Sequence, residues 1–181
     1  MTAFGDRSFR AACCAALTAA LLLTMSGCGS SRDYAVPDDL CGVPIDPDVI
    51  SPLLPDGDKL EKKPYAAKPP ERQRCRVYVD GSMILWLAGD ITDADTDVLK
   101  VKADDMQRDG NPAPADIADG ATLADSGAVA VAHCTFEGKK HNFAVEVELG
   151  RDYPEKLEDR RKAVAKFFRA YVPAAVQRQG C

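Results

Sequence analysis

The sequence has no basic surplus: 23 Lys and Arg stand against 28 Asp and Glu, a formal charge of −5. A phosphate backbone rewards a cationic surface through counterion release, so nucleic acid is excluded as a partner class. Imidazole is scarce, with His133 and His141 alone. No G-x-S-x-G elbow and no G-x-G-x-x-G fingerprint occurs, which argues against elbow-type hydrolases and dinucleotide enzymes. No two cysteines have the C-x-x-C spacing of thiolate zinc sites, so no metal and no cofactor is expected. The longest apolar run, residues 11–25, carries Thr18 and Thr24 and falls short of the ~18 uninterrupted apolar residues of a comfortable membrane span. What is present is a chain of 181 residues, 46% hydrophobic and 28% charged, enough for one domain with a core of its own.

The N-terminal segment reads as an export signal. Arg7 and Arg10 form a charged region, residues 11–25 an apolar one, and Ser26 and Gly27 a small-residue cleavage site before Cys28. Met25-Ser26-Gly27-Cys28 resembles the bacterial lipobox, with Met at the first position in place of the usual Leu. The resemblance implies removal of residues 1–27 and lipidation of Cys28. Acyl chains contributing about 0.8 kcal/mol per buried CH₂ would then hold the protein on a membrane surface. Residues 1–27 include two of the basic and one of the acidic residues, so the remainder carries −6. Residues 28–40, rich in Gly, Ser, Asp and Pro, suit a flexible tether, leaving 41–181 as a single domain.

Cys13 and Cys14 leave with the signal and Cys28 takes lipid, so Cys41, Cys75, Cys134 and Cys181 remain. An even number in an exported chain implies two disulfides, with three possible connectivities. We favour Cys41–Cys75 from their closeness in sequence and Cys134–Cys181 from geometry. A strand over 141–149 runs roughly 30 Å from its turn, and a helix of some twenty residues from Pro154 returns by about the same length.

Asp46-Pro47-Asp48 offers a cap, a first-turn proline and a first-turn acid, followed by Val49, Ile50, Leu53 and Leu54 at helical spacing, which predicts a short helix near 46–54. The proline-rich stretch 55–73 reads as a surface loop. Asp80-Gly81 between apolar runs predicts a hairpin, with 83–88 as a central strand covered on both faces. Helix is expected around 98–106, then a Pro/Gly/Asp-rich connection to Asp125. A second hairpin follows, turning at Glu137-Gly138-Lys139-Lys140. In its second arm Phe143, Val145, Val147 and Leu149 alternate with Asn142, Ala144, Glu146 and Glu148, as in a sheet with one wet face. From Pro154 an amphipathic helix presents Leu157, Val164, Phe167, Phe168, Tyr171 and Ala175, with Pro173 expected to kink or end it. The fold class is α+β: an antiparallel sheet of about four strands in two hairpins, packed by a long C-terminal and a short N-terminal helix. The two Cys-strand-turn-strand blocks are faintly alike, which convergent turn chemistry accounts for.

Candidate chemistry is thin. Asp93, Asp95, Asp97 and Asp104 follow an EF-hand count, yet Val98 stands where the loop needs Gly and Asp104 where it needs a bidentate Glu. An acidic helix start is the better reading. Glu146 and Glu148 share a strand face about 7 Å apart, an ordinary feature of a wet face. His133 and His141 lie on or beside strands, in phase with apolar neighbours. Tyr78 and Trp86 mark the best candidate binding surface, provided that neither the 55–73 loop nor the acidic segment covers it.

The lipobox, Asp39-Leu40-Cys41 before a short helix, Arg74-Cys75 entering a strand, a strand bearing Cys134 and a closing helix ending Gly180-Cys181 together resemble small actinobacterial cell-surface lipoproteins of unknown function. That resemblance implies an exported α+β domain, similar to a PsbP-like sandwich, and carries over no catalytic residue. The expected function is a non-enzymatic binding or interaction module, lipid-anchored on the outer face of the cell membrane. Its partner would be another envelope protein or a small ligand. An envelope-associated hydrolase is the alternative.

Overall fold

The structure, a computed structural model, describes residues 32–65 and 71–181. The signal segment and Cys28 lie outside the described residues. The elements are β1 (Asp39–Leu40), β2 (Val43–Pro44), α1 (Pro47–Ile50) with a 3₁₀ turn at Ser51–Leu53, β3 (Leu60–Pro64), β4 (Arg72–Val79), β5 (Ser82–Asp93), α2 (Val98–Val101), α3 (Ala103–Arg108), β6 (Ala113–Ala115), β7 (Gly120–Leu123), β8 (Gly127–Phe136), β9 (Lys139–Leu149) and α4 (Leu157–Gln179). Strands β3 to β9 form one antiparallel sheet in the order β3-β4-β5-β9-β8-β7-β6.

The fold class is α+β, but the sheet has seven strands rather than about four. The two expected hairpins are its centre, joined where β5 pairs with β9. Strand β3 comes from the stretch expected as loop, and β6 and β7 from the Pro/Gly/Asp-rich connection. All three lie at or next to an edge, where charged residues and Pro64 or Pro114 are tolerated because little apolar surface has to be covered. Three tight turns share one chemistry. Cys41-Gly42, Asp80-Gly81 and Glu137-Gly138 each place both central residues at positive φ, the type I′ geometry that matches the twist of a two-residue hairpin. Asp80 also accepts from the backbone N–H of Lys59 at 2.9 Å, which fixes the approach to β3.

Helix α4 packs across one face of the sheet. Val164, Phe167, Phe168, Tyr171, Val172 and Ala175 are buried against Cys75, Val77, Leu85, Leu87, Phe143, Val145, Val147 and residues of α1. Each fully buried Phe or Leu here contributes about 1.5–3 kcal/mol of transfer free energy. The helix continues past Pro173 to Gln179. Pro173 and Arg169, whose carbonyl would have accepted from the N–H that proline lacks, both lie on the exposed side of the helix. The disulfides are Cys41–Cys75, tying the β1–β2 turn to β4, and Cys134–Cys181, tying β8 to the residue after the helix cap Gly180.

The opposite face departs from expectation. Val98, Leu99 and Met106 of α2 and α3 pack on Val129, Val131 and Ala144, so the face of β9 expected to be wet is buried from Asn142 to Glu146. Of its two glutamates, Glu148 alone is exposed. Residues 32–40, expected as part of a tether, are bound to the domain. Arg32 bonds Ser51 and the carbonyl of Leu54, Tyr34 donates to the carbonyl of Pro55, and Tyr34 and Val36 pack on the core.

Candidate functional site

The structure separates the two histidines. Register places His133 on the face carrying Val131 and His141 on the face carrying Phe143. The side-chain amide of Asn142 donates to the carbonyls of Thr96 at 3.0 Å and Ala94 at 3.2 Å. Its Oδ1 must then accept from Nδ1 of His133, 2.7 Å away. The Nδ1 of His141 donates in the same way to the carbonyl of Thr92 at 3.1 Å. His133 thus braces Asn142, which holds the turn after β5, and His141 ties β9 to β5 directly. Cys134, beside them, is in a disulfide, and no group of three or more metal-ligating side chains occurs among the described residues.

The acidic segment is a helix start. The carboxylate of Asp97 accepts from the N–H of Lys100 at 3.1 Å, capping α2, and Val98 begins the helix where an EF-hand would turn. Behind it lies an acid cluster with two cations, Lys102 and Arg108, the latter paired with Asp105. Lys102 reaches Glu146 at 2.7 Å and Asp105 at 3.3 Å. The carboxyl of Asp109 lies against Gly127, where an added Cβ would stand 2.3 Å from Oδ2. Burial, helped by the negative charges of Glu148 and Glu146, raises Asp109 to a pKa of about 6.

Tyr78 and Trp86 lie on the second face and are half-buried. Trp86 donates its indole N–H to the hydroxyl of Tyr65. The guanidinium of Arg74 stands 5.7 Å from the Trp86 ring centre, Lys63 is 4.8 Å over Tyr78 and Arg76 is 4.0 Å over Tyr65. Arg74 also forms a two-pronged pair with Asp90, both contacts at 3.0 Å. The surface is thus a lattice of rings and cations, of which Arg74 and Lys63 are ion-paired.

Sequence reasoning missed the cavity on the other face, at the β3–β4 edge. It has a volume of about 390 Å³ and lies between the β1–β2 turn, strands β4 and β5, and the C-terminal half of α4. Leu40, Val43, Leu87 and Phe143 supply its apolar lining, and the Cys41–Cys75 disulfide forms part of the wall. Gly89 also lines it, and a Cβ there would stand 2.7 Å from the Phe143 ring, so the missing side chain lets that ring lie across β5. At the rim the side-chain amide of Gln73 donates to that of Gln179.

Helix α4 sends Tyr171, Ala175 and Arg178 into this lining at i, i+4 and i+7, one stripe of the helix. Tyr171 is 6% exposed, and its hydroxyl has no hydrogen-bond partner among the described residues. Burial alone pushes the phenol above its usual range, so it remains a neutral donor. Arg178 stands at the rim, its Nε 3.5 Å from where a Gly42 Cβ would sit, and it has no ion pair among the described residues. A volume in the range of small-molecule sites, a mostly apolar lining and a few polar groups are the properties of a ligand pocket. The signal that could have found it was the tyrosine in an otherwise apolar helix stripe. No helix among the described residues is long and apolar enough to cross a membrane. No protein-family model, no curated protein and no solved structure matches the chain.

Proposed function

We propose that this chain is a lipid-anchored, extracytoplasmic binding module of the cell envelope, without catalytic activity, whose site is the cavity between α4 and the β3–β4 edge. The observation that carries the reading is the largely apolar 390 Å³ space holding an unpartnered tyrosine hydroxyl. Two disulfides suit an oxidising compartment, and the two histidines are engaged in structural hydrogen bonds on opposite faces, which disfavours the hydrolase alternative. A resemblance to actinobacterial surface lipoproteins, and to a PsbP-like sandwich, belongs to the same proposal. It is supported by the lipobox-like residues before Cys28 and by a seven-stranded antiparallel sheet under one long helix.

Two measurements test it. Intact-mass analysis of the protein from its own membranes should show an acylated chain beginning at Cys28, and Cys28→Ser should release it to the soluble fraction. A chain beginning at Met1, or a Cys28→Ser variant still membrane-bound, would overturn the anchor. The neutral dye N-phenyl-1-naphthylamine should bind with a fluorescence gain that Ala175→Phe, which fills the cavity, removes. Dye binding untouched by that change would place the site elsewhere. A second reading, a protein partner on the sheet face, is favoured by the half-exposed rings of Tyr78 and Trp86. Photo-crosslinking from those two positions, with Cys28→Ser as control, should capture one discrete protein if it holds.

A further inference from the structure

Two polar side chains on the α4 wall of the proposed pocket constrain what can occupy it. Arg178 at the rim is a cation without an ion pair among the described residues, and Tyr171 further along the stripe is a largely buried residue whose hydroxyl has no acceptor among the described residues. Seven residues of helix place their Cα atoms about 10 Å apart. Between them the lining is apolar, from Leu40, Val43, Leu87 and Phe143. A purely apolar occupant would leave both polar groups unanswered, and leaving a buried donor unpaired costs of the order of 1–3 kcal/mol. Two anionic groups would find a single unpaired cation. Arg72, Gln73 and Arg74 also border the cavity, but both arginines pair with Asp90 and Gln73 donates to Gln179, which leaves the Tyr171 donor and the Arg178 cation on the α4 wall.

We infer that the cavity binds a singly anionic amphiphile: a carboxylate held by Arg178 at the rim, an apolar chain along the α4 stripe, and an uncharged oxygen further along that chain accepting from the Tyr171 hydroxyl. The inference rests on the cavity being the binding site. A guanidinium and a carboxylate form a charge-assisted pair, stronger than a neutral hydrogen bond, so the head group sets the orientation. The tyrosine then discriminates between chains, because a hydrogen-bonding site rejects an analogue lacking its partner.

The test uses the full chain carrying Cys28→Ser, exported and purified without detergent, and three probes: decanol, decanoate and 10-hydroxydecanoate. Each is titrated as a competitor of N-phenyl-1-naphthylamine. Decanoate should displace the dye at about tenfold lower concentration than decanol, as one charge-assisted bond warrants. Arg178→Gln should erase that difference while leaving decanol unchanged. Tyr171→Phe should weaken 10-hydroxydecanoate about fivefold, the scale of one neutral hydrogen bond, and leave decanoate unchanged. Equal displacement by decanol and decanoate, or a preference that survives Arg178→Gln, overturns the carboxylate assignment while the cavity remains the site. A Tyr171→Phe effect of equal size on both carboxylates overturns the role of the hydroxyl. If the dye does not bind at all, the cavity reading itself falls.

Discussion

The two faces of the sheet are held by different chemistry. On the α4 face one helix of 23 residues lays Phe167, Phe168 and Val172 on Leu85, Leu87 and Val147, all at or below 1% exposure. The two disulfides border the same core. On the other face two helices of four and six residues cover Val129, Val131 and Ala144, next to Glu146, Lys102, Asp109 and the Arg74–Asp90 pair. Large apolar area secures the first face, whereas the second depends on charges meeting partners in a partly dry place. Stability should therefore follow volume on one side and ionisation on the other.

The comparison breaks most visibly in the α4 core. Phe167→Ala should lower the unfolding free energy by about 3–5 kcal/mol at any pH, read by urea denaturation, because it leaves a cavity that the sheet cannot close. A loss below 1 kcal/mol would mean that α4 is not the principal clamp. On the second face Lys102→Met leaves Glu146 at 8% exposure beside Asp109 and Glu148 without its cation. The cost, read by urea denaturation, should be about 2 kcal/mol at pH 7, reduced from the fully buried case by the partial exposure of the lysine.

Asp109 gives a smaller effect of opposite sign. Its pKa rises from the ordinary 3.8 to about 6 on folding, so its contribution is full below pH 3.8, is lost as pH rises through 6, and leaves a net cost above that. Asp109→Asn should add about 1 kcal/mol at pH 8, discounted for solvent screening, and nothing at pH 3.5. A pH-independent effect in paired denaturation curves would show that packing against Gly127, not charge, is what matters there. Smallest of all, Tyr171→Phe should leave the free protein as stable or stabler by up to about 1 kcal/mol, since no partner loses a bond. A clear destabilisation in thermal melts would mean that the hydroxyl is already satisfied.

The α4 face was the more legible of the two. Phe143, Val145, Val147 and Leu149 alternate openly, and Val164, Phe167, Phe168 and Tyr171 repeat at helical spacing, because large apolar residues write their period into the sequence. Asp80-Gly81 gave away its hairpin for the same local reason, the need for positive φ. Strand β3 was hidden: Leu60-Glu61-Lys62-Lys63-Pro64 carries the charges of an edge and looks like loop. Glu146 looked like a wet-face residue because its cation lies 44 positions earlier, a pairing that no local pattern encodes. The cavity was illegible in a stronger sense. Tyr78 and Trp86 could be singled out as exposed-type aromatics, whereas an unpartnered hydroxyl at Tyr171 exists only once every neighbour is in place.

The β5–β9 seam has a kinetic consequence. Each half of the sheet, β3 to β5 and β6 to β9, is an antiparallel series whose strands are neighbours in sequence, and its tight turns close cheaply. Joining the halves requires Leu85 to find Leu149 and Leu87 to find Val147 across some sixty residues, before any reward from that pairing is collected. The search for that one register should limit the refolding rate. Shortening Leu87 or Val147 is therefore expected to slow folding in stopped-flow mixing, whereas trimming an edge such as Leu60 should chiefly hasten unfolding.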